Sequence, residues 1–197
     1  EVWHVAPHVG LARFEGRYNV GCWSWELETF PAEWLRSFEL FDEIWAPSRF
    51  CQDAISTVAP IPVRRLPHLV EVDPPPAPDR ARFGLPENRF VFLFVFDFLS
   101  YFERKNPLGL VRAFRRAFAG DDRALLLLKC VNSERAPDRL AALQREAAGA
   151  EVQLLDRYLD RHEVYQLMAS ADAYVSLHRA EGFGLTLAEA MALGKPV

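Results

Sequence analysis

Short apolar runs alternate with stretches of helical spacing along the whole chain. Val2 to Ala6 is strand-like, Tyr18 to Trp23 is a second strand, and a helix led by Pro31 runs through about Phe38. Glu43 to Ala46 reads as a short strand, Ser48 as the cap of a helix reaching about Thr57, and Val63 to Leu69 as another strand. Four prolines between Pro74 and Pro78 then break every periodicity, because proline fixes φ and cannot donate to a sheet. A second, clearer series follows. Phe90 to Phe96 is apolar on both faces, as a strand covered by helices on both sides must be. After it come helix Pro107 to Phe118, strand Ala124 to Val131, helix Pro137 to Ala148, strand Val152 to Leu155, helix His162 to Ala169, strand Ala173 to Leu177 and a closing helix. This alternation predicts an α/β protein with parallel sheets: part of one Rossmann-like domain over 1–66, a linker over 67–86, and a doubly wound second domain over 87–197.

Composition narrows the class. Half of the 197 residues are hydrophobic, enough for a sizeable core, and 23 basic residues against 27 acidic ones leave a net charge of −4. The charges are interspersed, so no basic stripe points to nucleic acid and no polybasic segment to a membrane. The apolar run Phe90 to Phe96 is far short of a membrane span, and nothing at the start resembles a signal peptide. Cys22, Cys51 and Cys130 are widely spaced and form no C-x-x-C pair; they are expected to be reduced core thiols of a cytoplasmic protein. Glu1 leads at once into a strand-like run, and the chain ends at Pro196-Val197 where a further strand is expected, so the sequence is read as truncated at both ends.

The chemistry concentrates in the closing stretch. Ala180-Glu181-Gly182-Phe183-Gly184-Leu185 is a polar, glycine-rich turn that opens a helix of good formers; Gly194 supplies a left-handed stop and Pro196 blocks continuation. Backbone N–H groups from Gly182 to Leu185 then sit at the positive end of a helix, where phosphate binds. Glu181 and Glu189 flank that cradle. Carboxylates repel a bare phosphate, so they are expected to accept hydrogen bonds from hydroxyls on either side of it, as a sugar and a ribose around a phosphate pair would supply. A plain capped helix is the alternative on glycine spacing alone. The loop after Phe96 carries Ser100, Arg104 and Lys105 just before Pro107, and two cations at a helix start oppose the dipole unless an anion belongs there.

The stretch from Glu181 to Val197, with a glutamate, seven residues and a second glutamate, resembles the signature of the retaining glycosyltransferases of family 4, in the GT-B class of two Rossmann-like domains also described as glycosyl transferases group 1. The resemblance implies that Lys105, and Arg104 where the family often has an arginine further upstream, hold a leaving diphosphate. It implies that Glu181 meets donor-sugar hydroxyls and Glu189 those of the ribose. It places Gly182, Phe183, Gly184 and Leu185 around the donor and Tyr158 near the base; Ser100, which stands where the family has its arginine, and His178, next to Glu181, are further candidate donor contacts. It assigns 1–66 to the acceptor domain, with Trp25 and Glu26 as acceptor-side candidates beside a Trp-rich strand end. What it implies overall is a hexosyl- or deoxyhexosyl-transferase using a nucleoside-diphosphate sugar, with no cofactor and no metal, since no D-x-D triplet is present. The acceptor is a sugar, glycan or lipid-linked molecule, with room for peripheral membrane contact, and the setting is polysaccharide or glycoconjugate synthesis in the cytoplasm. Two other readings stand beside it: a non-catalytic nucleotide-sugar-binding or interaction module, and an NAD-dependent enzyme, against which counts the missing G-x-G-x-x-G after Phe96.

Overall fold

A computed structural model describes residues 8, 10–72 and 77–197. The strand-like run at Val2 to Ala6 and the prolines at 74–76 lie outside them. By internal contacts the described chain divides into two units, residues 1–69 with 180–183, and residues 70–179 with 184–197. The segment 180–183, read from sequence as part of the second domain, thus groups with the first.

The first unit is a parallel sheet in the order β1 (Val20–Cys22), β2 (Glu43–Ala46), β3 (Val63–Arg65). The helix expected after Pro31 is a 3-10 helix, Ala32–Leu40, and Ser48 does cap α1 (Arg49–Ser56) by accepting the Cys51 N–H. A small core of Phe30, Phe38, Ile44, Ala46, Cys51 and Ile55 closes over β2. Cys22 departs from expectation: it is exposed, because successive strand residues face opposite sides and only Gly21 of this strand points into the core.

The second unit is a four-stranded parallel sheet of β4 (Phe90–Val95), β5 (Ala124–Cys130), β6 (Val152–Asp156) and β7 (Ala173–Tyr174), in the order β6-β5-β4-β7. All seven residues of β5 are buried, as a strand paired on both sides and covered on both faces requires. Helices α2 (Phe102–Lys105), α3 (Pro107–Ala117), α4 (Pro137–Ala147), α5 (Arg161–Ser170) and α6 (Leu185–Ala192) connect and cover the strands. Strand β7 stops at Tyr174, short of the Leu177 expected, although the Val175 N–H still reaches the Leu93 carbonyl at 2.8 Å. Much of the stretch read as linker is fastened to this unit. Arg80 donates to the carbonyls of Ser170, Pro86 and Arg89 and pairs with Asp172 at 2.6 Å.

Strand order decides where a ligand goes. The chain winds outward from β4 through β5 to β6, then returns to the other side of β4 with β7. The crevice between the carboxyl ends of β4 and β7 is therefore the topological switch point, the preferred ligand position in open α/β sheets.

Candidate functional site

Two loops leave the switch point, residues 96–106 after β4 and 175–184 after β7. The first is anchored by buried aromatics: Phe96, Phe98 and Phe102 form a ladder with centroids 5.0 and 5.7 Å apart. Asp97 ends the strand by accepting the Leu99 N–H at 2.9 Å and the Asn132 amide at 2.8 Å, and Arg139 donates to the Phe98 carbonyl. Between these anchors Leu99 and Tyr101 are exposed and Ser100 is half-buried. Arg104 and Lys105 are not at the start of the following helix, as the sequence suggested. They form the last turn of the one-turn helix α2, which ends in Asn106 at φ 54°, so the helix dipole favours both cations where they stand.

The two loops are tied to each other. The Arg179 N–H donates to the Arg104 carbonyl at 2.9 Å, and the Asn106 amide donates to the Leu177 carbonyl at 3.1 Å. Gly109 makes this possible. A Cβ there would lie 2.4 Å from the Asn106 side-chain oxygen, so only glycine lets Asn106 fold back over its own helix and reach Leu177. Lys105 and Arg104 are thereby held against the backbone that carries His178. The His178 ring meets Phe94 edge-on at 5.6 Å and shares a short hydrogen bond through Nδ1 with the Ser176 hydroxyl.

Helix α6 begins where the second loop ends. Gly184 is its N-cap at φ 81°, a left-handed conformation that glycine adopts without strain, and no side chain caps the helix. The first N–H groups of a helix have no acceptor within it. Tyr174 steadies this end: its hydroxyl donates to Thr186 Oγ1 at 2.8 Å and accepts from the Val95 N–H at 3.4 Å. At the other end Gly194 is left-handed as expected, and the Lys195 N–H returns to the Ala190 carbonyl. The Lys195 ammonium bonds the Ala169 and Ala171 carbonyls at 2.6 and 2.7 Å, so this lysine closes the C-terminus of α5; burial lowers its pKa.

Glu189 faces α5. Its Oε1 lies 3.3 Å from the Tyr165 hydroxyl and 3.5 Å from Arg161 Nη2. Neither partner stood out in the sequence, since residues on separate helices meet only through the fold. Tyr158, after β6, is 86 % exposed, with its whole ring presented to solvent. Deeper in the same strand ends, Lys129 is buried and donates to the Cys130 carbonyl at 2.9 Å; burial lowers its pKa and pushes the Cys130 thiol up to about 12. Two wide hollows of about 660 and 790 Å³ also open in this unit, but at the amino ends of β4, β5 and β6, the opposite edge from the loops. Among the described residues no group of three or more His, Cys, Asp or Glu is placed to hold a metal ion.

The remaining candidates belong to the first unit. Glu181 is half-buried, Gly182 accepts from the buried Cys51 thiol at 3.5 Å, and Phe183 packs edge-on against His68 at 5.2 Å. The same thiol donates to the Trp25 carbonyl at 3.0 Å. Trp23 and Trp25 are half-buried against the small core: Trp23 stacks on Phe30, and Trp25 meets Trp34 edge-on at 5.0 Å. They line a hollow of about 230 Å³ with Cys22, Ser24, Phe30, Trp34 and Ser37. Glu26 is half-buried beside it.

Residues 77–197, well over half of the chain, match the family model described as glycosyl transferases group 1. The chain belongs to this family. Similar solved structures agree with that fold. Sucrose-phosphate synthase from Thermosynechococcus elongatus superposes with a TM-score of 0.65 at 22 % identity, covering 82 % of this chain and 42 % of the synthase. A UDP-forming α,α-trehalose-phosphate synthase from Burkholderia xenovorans gives 0.68 at 15 % identity, covering 91 % and 51 %. A glycosyltransferase from Rickettsia africae ESF-5 gives 0.71 at 18 % identity, covering 89 % and 49 %. This group 1 chain thus spans about half the length of those proteins or less, and its architecture is GT-B. No match was found among curated proteins. Among the described residues no helix is long and apolar enough to cross a membrane.

Proposed function

We propose that this group 1 family member takes part in moving a sugar from a nucleoside-diphosphate sugar to an acceptor, with retention of anomeric configuration and without a metal. The observation that carries the reading is the junction at the switch point. There the Arg104 carbonyl and the Asn106 amide tie the cation-bearing loop to the loop that leads into the uncapped helix α6. Cleaving a glycosyl–phosphate bond leaves negative charge on the departing nucleoside diphosphate. Lys105, Arg104 and the N–H groups of Gly184 and Leu185 are the donors for that charge in this reading. Glu181 takes hydroxyls of the donor sugar and Glu189 those of the ribose. Ser100 and His178 add polar contacts, Gly182 and Phe183 shape the turn, and Tyr158 offers a ring to the base.

The acceptor is a sugar, a glycan or a lipid-linked molecule. Trp25 and Glu26, beside the hollow of the first unit, are its contacts in this reading, and polysaccharide or glycoconjugate synthesis in the cytoplasm is its setting. The test is Glu181→Ala in the full-length protein, with donor binding and transfer measured separately. Transfer is expected to fall roughly 100-fold while donor binding weakens by about tenfold or less, the pattern of an interaction that strengthens in the transition state. Unchanged transfer removes Glu181 from the reaction and favours a module that binds the donor without using it.

A further inference from the structure

Glu189 presents a fixed acceptor to a ribose diol only if its carboxylate is held in one orientation, and the structure contains a device for that. Its side chain is 13 % exposed, and all its hydrogen bonding and ion pairing converge on Oε1. Among the described residues nothing bonds Oε2. The two groups on Oε1 come from one face of α5, where Arg161 and Tyr165 are one turn apart. They are also joined to each other: the Arg161 Nε–H donates to the Tyr165 hydroxyl at 2.5 Å, with the guanidinium carbon 5.4 Å from the ring centre. A tyrosine hydroxyl has one proton to give. It stands between two acceptors, Glu189 Oε1 at 3.3 Å and the Glu71 carbonyl at 3.2 Å, while Arg161 fills one of its lone pairs. Arg161, by donating to that hydroxyl, polarises its O–H and strengthens the hydrogen bond it gives.

We infer that Arg161 and Tyr165 are positioning residues that hold Glu189 by Oε1 and leave Oε2 to accept a hydroxyl pair from the donor. This rests on the reading of Glu189 given above. Neither residue needs to touch the ligand; both act through the orientation of one carboxylate. The consequence is selective, because only a ligand that carries the hydroxyls can sense whether the carboxylate is aligned.

The test is a thermodynamic cycle in the full-length protein. UDP and GDP are titrated calorimetrically beside their 2′,3′-dideoxy counterparts, into wild type, Tyr165→Phe, Arg161→Gln, Arg161→Lys and Glu189→Ala. Wild type is expected to prefer the ribonucleotide it binds, and Glu189→Ala to abolish that preference. Tyr165→Phe and Arg161→Gln should each weaken ribonucleotide binding about three- to tenfold, the range of a single net hydrogen bond, while leaving dideoxynucleotide binding unchanged. Arg161→Lys, which keeps the charge, should recover part of the loss. Equal weakening of both ligand classes would show a merely structural role and overturn the inference, as would an unaltered preference in both α5 variants when Glu189→Ala has lost it. A preference that survives Glu189→Ala, or no binding of either ribonucleotide by wild type, overturns the reading of Glu189 and the inference with it.

Discussion

The two sheets of this chain obey the same parallel topology and differ in how far they are buried. In the second unit every residue of β5 is enclosed, and Leu126, Leu127 and Leu128 have no exposed surface. In the first, β1 and β3 are three residues each and half-buried or exposed along most of their length. A ligand that must be gripped by loops needs strand ends that do not yield, and only the second sheet offers a central strand of seven residues that are all buried, against four in β2 with one of them half-buried. The tied loops and the uncapped helix belong to that unit. The first unit instead gathers aromatic surface, and all five tryptophans fall within the first 45 residues. Fluorescence therefore reports the first unit, while hydrogen exchange follows the second strand by strand.

The contrast can be broken or sharpened by substitution. Leu127→Ala should destabilise the second sheet by about 2–5 kcal/mol, against about 1 kcal/mol for Val63→Ala on the half-buried edge strand β3, both read by urea denaturation. Equal losses would mean that the two sheets are not differently braced. Next in size, Lys105→Ala should weaken nucleoside-diphosphate binding about 10- to 100-fold, as expected for a charged hydrogen bond, without moving the fluorescence transition. Gly109→Ala drives a Cβ into the Asn106 side chain and should cost about 1–3 kcal/mol of stability. Adding Asn106→Gly should restore that stability yet speed hydrogen exchange at residues 177–179, because the tether to Leu177 is gone.

Two pH effects complete the series. Burial holds the Lys129 pKa below its ordinary value, so the unfolded chain binds more protons than the folded one between the folded pKa and about 10.5. The stability of wild type relative to Lys129→Met should therefore rise with pH through that window, and Lys129→Met should be the more stable protein at neutral pH. Asp121, held at about 2 by Arg123, contributes stability above its unfolded pKa and loses it as pH falls toward 2. The pair is exposed, so Asp121→Asn should lower the denaturation midpoint only slightly at pH 6, with the difference from wild type gone at pH 2.

The sheet of the second unit was legible because a strand apolar on both faces, such as Phe90 to Phe96, has few other places to go. The last helix was legible for a different reason, the glycines Gly184 and Gly194 that take left-handed conformations at its two ends. What escaped were features created by contact at long range. Strand β7 is cut to two residues because its later residues turn into the loop fastened by Asn106 and Arg104. The cations Arg104 and Lys105 end one short helix rather than opening the next, a distinction that depends on the left-handed Asn106. Cys22 is exposed by strand alternation on a sheet whose outer face is uncovered there. Arg161 and Tyr165 carried no signal at all, since their partner Glu189 is 24 residues or more away.

The measurement that bears most directly on the donor site is the thermal midpoint of the full-length protein with UDP, GDP, TDP and NAD. A rise with at least one nucleoside diphosphate, reduced by Lys105→Ala and by Glu189→Ala, is the predicted result. A rise with NAD and with none of the diphosphates would contradict it.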